Sequence, residues 1–277
     1  MLPGNIIMVN ATCEYLDFNQ NGWQGKCTRD FLAPSENFTD WLNSVNAKAT
    51  LKYRSRSIAQ YKTADVQWFI KTMSGLSDNP QAIFNVLKWC LRPSRALHIW
   101  RISQKMSALG IDCPKVILAA RNRVWKPLGW PIDVLIMEKS PGIQLVKFLL
   151  NTSLTAKERN LIKEMTARNL AHFHQAGFQH GDCQPGNLFI DPANSRVCFI
   201  DNDRTRYCQK NPWGRRRNLI QLGFHMLRLC LFTPADWDDF FHLYAGFLHW
   251  DTKTESSEYR RVMAGIRKRL KRIEPHA

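Results

Sequence analysis

Three polar side chains arranged around a short apolar hairpin constrain this chain more than any other feature. The run His180-Gly-Asp-Cys-Gln-Pro-Gly-Asn187 puts Asp182 five residues ahead of an asparagine. Two short strand candidates follow, Asn187–Ile190 and Arg196–Ile200, and the second runs into Asp201-Asn-Asp-Arg204. Upstream, a helix opens on a capping box, Thr155 to Glu158, and stops at Gly177. A fold that accepts this order brings two carboxylates and an amide back to one place across a hairpin.

That trio has a chemistry. A phosphoryl group in transfer needs an acceptor hydroxyl held in line and metal to neutralise its charge. Asp182 suits the first task, as the group that orients the hydroxyl or takes its proton. Asn187 offers a neutral oxygen, and Asp201 a carboxylate, to a shared Mg²⁺. Each piece alone is weak evidence. Together, H-x-D-x-x-x-x-N, a hairpin, and an apolar strand ending in Asp form the order of the kinase catalytic segment. His180 reads as a residue that holds the loop rather than as a base.

The same pattern assigns Lys71, which ends the strand candidate Val66–Lys71, to the α- and β-phosphates of a nucleotide. Two expected parts are missing. The segment before that strand, Lys52-Tyr-Arg-Ser-Arg-Ser57, has no glycine, so Arg54, Ser55 and Ser57 are the candidates for phosphate contact through charge-assisted and hydroxyl hydrogen bonds. No glutamate occurs between Glu36 and Glu138, so the helix acid that usually pairs with such a lysine has no candidate; His98 or Ile99 occupies its place. Ile136-Met137-Glu138 is the candidate hinge, whose backbone would read adenine.

The remaining patterns give an α+β, two-lobed architecture: a small strand-rich N-lobe over 49–139 and a larger helical C-lobe over 140–277. Residues 1–48 read as an N-terminal extension of unclear role. Within the N-lobe, Ala49–Tyr53, Ser57–Lys62, Lys115–Ala120 and Ile132–Lys139 are strands, and 81–91 and 94–110 are helices. After Asp201 the pattern is helical to the end. The eight cysteines form no metal-ligand spacing and read as free thiols of a reducing compartment. The formal net charge of +16 favours phosphate-rich partners. Fourteen Lys or Arg against three acids between Leu51 and Trp130 concentrate that charge, and Arg267, Lys268, Arg269, Lys271 and Arg272 form a second cluster. No motif for specific nucleic-acid recognition is present.

With these residues in view, the chain resembles the bacterial lipopolysaccharide kinase family, which phosphorylates heptose or Kdo sugars of the inner core. The resemblance rests on Phe69-Ile-Lys71, Ser94-Arg-Ala with Trp100, Leu109-Gly-Ile and Pro114, His180-Gly-Asp182 with Asn187, and Phe199-Ile-Asp-Asn-Asp-Arg204, and it covers about 49–250. It implies a protein kinase-like fold, ATP with Mg²⁺, catalytic Asp182, metal ligands Asn187 and Asp201, and nucleotide-binding Lys71. It also implies a lipopolysaccharide or other anionic glycan acceptor, and a cytoplasmic enzyme peripheral to the inner membrane, with the anionic membrane surface as a further partner. Two other classes share these residues: a non-catalytic kinase-like scaffold, favoured by the absent helix glutamate, and a soluble small-molecule kinase of the aminoglycoside type.

Overall fold

The computed structural model describes residues 15–31, 37–53, 56–63, 66–74, 92–123, 131–151, 153–208 and 211–273. The chain divides into two compact units, the first made of residues up to 101 with 115–139, the second of 102–114 with 140–277. The first is strand-rich and the second mainly helical, so the class is α+β as the sequence suggests.

The first unit is built on one antiparallel sheet. Its strands are β1 (Tyr15–Gln20), β2 (Trp23–Thr28), β3 (Leu51–Tyr53), β4 (Arg56–Lys62), β5 (Gln67–Ser74), β6 (Val116–Arg123) and β7 (Pro131–Glu138), in the order β1-β2-β6-β7-β5-β4-β3. Helix α1 (Phe38–Ala47) starts on an Asn37 cap, whose side chain accepts the Thr39 N–H. Helix α2 (Arg95–Ala108) begins in this unit. The expected helix over 81–91 lies outside the described residues.

Residues 15–31 and 37–47 correct the expectation of a separate extension. Strand β2 pairs with β6 from Gln24↔Arg121 to Cys27↔Leu118, so the first hairpin is part of the lobe's sheet. Phe18, Trp23, Phe31 and Phe38 are buried there, with Phe38 against Phe18 and Trp23 at ring separations of 5.2 and 5.5 Å. The signal was the Asn21-Gly22 pair between two strands, with φ of +49° and +80°, the turn that matches strand twist in a tight hairpin. Gly22 and Gly25 thus belong to a structural hairpin.

The second unit contains β8 (Ile143–Gln144), α3 (Leu145–Leu149), α4 (Ala156–Gln175), β9 (Phe178–Gln179), β10 (Leu188–Asp191), β11 (Arg196–Phe199), β12 (Arg206–Tyr207), α5 (Pro212–Arg228), α6 (Pro234–Phe247) and α7 (Thr252–Lys271). The capping box of α4 is present in both directions between Thr155 and Glu158. Strands β10 and β11 form the expected hairpin, Leu188↔Phe199 to Asp191↔Arg196, with β8 on the other edge of β10. The stretch after Asp201 is not wholly helical, since β12 first pairs with β9; a two-residue strand carries no readable period. Trp237, Phe240, Phe241 and Tyr244 are buried, so the aromatic stripe of α6 is core. Among the described cysteines all six are free thiols.

Candidate active site

The second unit assembles the Asp182 loop from residues far apart in sequence. His180 is 2% exposed and uses both ring nitrogens: Nε2 donates to the Ile200 carbonyl at 2.8 Å, and Nδ1 accepts the Asp182 N–H at 3.1 Å. That pattern requires one neutral tautomer. Burial lowers the pKa of the ring below its ordinary value, while its bond to the Ile200 carbonyl and the carboxylates of Asp201, Asp182 and Asp203 pull the other way. One imidazole therefore lies within electrostatic reach of three acids from both motif segments. Its role is to tie them together.

The backbone of His180 is clamped by Asn218 on α5. Asn218 Oδ1 accepts the His180 N–H at 2.9 Å, and its Nδ2 donates to the His180 carbonyl. His174 Nε2 donates to the same Oδ1 at 3.0 Å, and Tyr244 donates its hydroxyl to His174 Nδ1 at 2.7 Å. Complete burial drives the His174 pKa down to about 3, so this chain of bonds is neutral. Asn218 and Gln221 were not singled out from sequence. Only their positions on a helix following the motif could have pointed to them.

Asp182 is held by three side-chain amides. Its Oδ2 accepts from Gln184 Nε2 at 2.9 Å and Asn187 Nδ2 at 3.1 Å, and its Oδ1 accepts from Gln221 Nε2. Gln221 also accepts the Cys183 N–H at 3.2 Å. Neutral donors fix the carboxylate without an ion pair. Asn187 makes its bonds to Asp182 through nitrogen, including one to the Asp182 carbonyl at 2.9 Å, which leaves Oδ1 as the atom it can offer a cation. The Asn187 carbonyl accepts the Ile200 N–H at 3.0 Å, joining the loop to the end of β11.

Asp201 follows β11 with φ +59° and ψ +48°. The left-handed region costs a non-glycine residue roughly 1 kcal/mol or more, and such conformations persist where neighbours over-determine them. Asn202 does so here, donating to the Phe199 carbonyl at 2.8 Å and accepting from Thr205 Oγ1 at 2.9 Å. The two segments also touch at Gly181, where an added Cβ would lie 2.0 Å from Arg204 Cβ and 2.6 Å from its carbonyl oxygen. Only glycine allows that approach. Asp182, Asn187 and Asp201 are thus brought together within one unit.

The other expected site residues belong to the first unit. Lys71 is buried in mid-strand, since β5 continues to Ser74 rather than ending on the lysine; its register partners are Ile58 and Leu135. Ser57 is buried and donates its hydroxyl to Asn46 Oδ1 at 2.8 Å. Arg54 and Ser55 lie outside the described residues. Glu138, the last residue of the candidate hinge, donates its backbone N–H to the Lys115 carbonyl at 2.9 Å and pairs with Lys115 Nζ at 3.3 Å. Helix α2 carries no acid in its sequence, as anticipated.

Sequence reading also passed over Asp133 on β7, which is fully buried. It accepts from Arg121 Nε at 2.7 Å, Ser94 Oγ at 2.9 Å and the Arg95 N–H at 2.7 Å. This carboxylate anchors the start of α2.

Comparison with known proteins matches residues 36–244 to the model of the Lipopolysaccharide kinase (Kdo/WaaP) family. The chain belongs to this family. It is accordingly a kinase. A solved structure of similar fold is WaaP in complex with acyl carrier protein, with a TM-score of 0.64 over 88% of this chain and 95% of that one; at 14% identity the likeness shows the fold, which is two-lobed and protein kinase-like. A Clostridium pasteurianum protein described as an uncharacterized protein in the hydrogenase 1 5′ region is 39% identical over 70 residues, 24% of this chain. The match spans 12% of that relative's length.

Proposed function

We propose that this kinase transfers the γ-phosphoryl group of Mg²⁺-bound ATP to a sugar hydroxyl of lipopolysaccharide core or a related anionic envelope glycan. The observation that carries the reading is the Asp182 carboxylate, held by Gln184, Asn187 and Gln221 and packed, through Gly181, against the segment that presents Asp201. Asp182 orients the acceptor hydroxyl and takes its proton as the oxygen attacks the γ-phosphorus and the bond to the β-phosphate oxygen breaks.

Asn187 Oδ1 and the Asp201 carboxylate are hard oxygen donors and would hold Mg²⁺, which supplies charge neutralisation to the phosphates when bound. Among the described residues no group of three or more His, Cys, Asp or Glu side chains could hold a metal ion. Two protein ligands suit a cation that keeps its remaining positions for phosphate and water. Lys71, buried on β5, is assigned to the nucleotide phosphates.

The proposed acceptor would put the enzyme at the cytoplasmic face of the inner membrane. Among the described residues no helix is long and apolar enough to cross a membrane. Helix α7 presents exposed Arg267, Lys268 and Lys271, which would add roughly 1 kcal/mol each near an anionic bilayer.

The test is transfer from ATP, with Mg²⁺, to a lipopolysaccharide-core oligosaccharide. Asp182→Ala is expected to lower kcat by at least about 10². Equal rates in the two proteins would remove Asp182 from the chemistry.

A further inference from the structure

Helix α5 does more than clamp the catalytic loop. One turn beyond Gln221, whose amide holds Asp182, comes His225, and Arg228 follows on the same face. The Asp182 carboxylate and the guanidinium groups of Arg228 and Arg269 each lie within electrostatic reach of the His225 imidazole. Phe224 lies against His225 and both arginines. Its ring is 6% exposed, meets the His225 ring edge-on at 5.0 Å, and carries Arg228 at 5.8 Å and Arg269, from α7, at 5.9 Å.

The pairing of the two arginines sets them apart. On the same two helices, Arg216 and Arg261 are bound to Glu258 at 2.8 and 3.0 Å, so their charge is spent inside the protein. Among the described residues neither Arg228 nor Arg269 has a carboxylate in salt-bridge range. Both lie over the Phe224 ring instead. Attraction to a ring face leaves the guanidinium N–H donors for a ligand, and such donors suit bidentate oxyanion recognition.

The electrostatics of the reaction call for such a seat. An acidic acceptor approaching Asp182 meets a carboxylate whose bonded partners are all neutral. We infer that Arg228 and Arg269 form an acceptor-anion seat that binds a carboxylate or phosphate substituent of the glycan and aligns its reacting hydroxyl with Asp182. Seven residues of helix separate Gln221 from Arg228, about 10 Å along the axis. The anionic substituent therefore belongs to the reacting sugar or its neighbour. The inference rests on the proposed glycan-kinase activity and assigns its acceptor specificity to two residues outside the catalytic motif. They are positioning residues.

The test compares the wild type with the Arg228→Gln/Arg269→Gln double variant on three matched oligosaccharides, bearing only carboxylates, only phosphates, or neither. The readout is the ratio of kcat/KM for each acidic acceptor to that for the neutral one. The expected result is a fall of at least tenfold in this ratio, through KM, for one acidic acceptor, which then identifies the oxyanion. The Arg228→Lys/Arg269→Lys variant keeps the charge and is expected to recover part of the ratio. An unchanged ratio for both acidic acceptors overturns the seat. A parallel calorimetric titration without nucleotide separates this failure from that of the kinase reading. Tenfold tighter binding of an acidic than of a neutral oligosaccharide, lost in the Gln variant, supports the seat even with no phosphoryl transfer. Equal binding by both proteins overturns it.

Discussion

Each unit of this protein contains a buried hub built on a carboxylate or an amide, and the two hubs differ in kind. In the first unit the hub is ionic: Asp133 accepts from Arg121, Ser94 and the backbone of Arg95, and its charge is consumed in anchoring a helix. In the second it is neutral: Asn218, His174, Tyr244 and His180 pass hydrogen bonds among uncharged groups. The contrast explains how one aspartate is structural and another is available for chemistry. Asp182 is positioned by amides, and among the described residues its side-chain hydrogen-bond partners are all neutral.

The largest expected effect comes from breaking the ionic hub. Asp133→Ala leaves the Arg121 guanidinium, only 14% exposed, without its counter-ion and strips two further donors of their acceptor. A loss of about 3–5 kcal/mol is expected, read as faster hydrogen exchange in β6 and β7. Asn218→Ala should cost less, about 2–3 kcal/mol, because the groups it orphans are uncharged. Its exchange signature should fall on α4 and the 180–187 loop. A larger loss from Asn218→Ala than from Asp133→Ala would reverse the comparison.

Acid should discriminate between the hubs as well. The His174 pKa is about 3 in the folded protein against an ordinary 6.5, and that of His180 is lowered too, both through burial. The unfolded chain therefore takes up protons that the folded second unit refuses. Stability from these groups is complete above pH 6.5 and falls as the pH drops below it, for His174 until about pH 3, by up to roughly 1.4 kcal/mol per pH unit for each histidine. Urea midpoints measured across that range should decline for the second unit. A His174→Gln variant should show a shallower decline.

The same contrast accounts for what was legible in the sequence. The Asp182–Asn187 motif and the Asp201 turn are local, with spacing dictated by a loop and a hairpin, and they were readable without a structure. So was the α4 capping box. Asn218, Gln221 and Asp133 act across long sequence separations, and nothing in their own neighbourhoods distinguishes them from ordinary helix or strand residues. The first hairpin is a different case. Its Asn21-Gly22 turn was a readable signal, but the flanking strands alternate too weakly to stand out, and they are stabilised by pairing with β6, about 100 residues away in the chain.

In the proposed mechanism Asn187 and Asp201 serve one metal–nucleotide site beside Asp182. Electron paramagnetic resonance of Mn²⁺ with ATP tests it directly, comparing the wild type with Asp201→Asn and Asn187→Leu. The expected result is a nucleotide-dependent bound-Mn²⁺ signal whose affinity falls at least tenfold in each variant, with circular dichroism unchanged. Equal Mn²⁺ affinity in all three proteins would contradict the account.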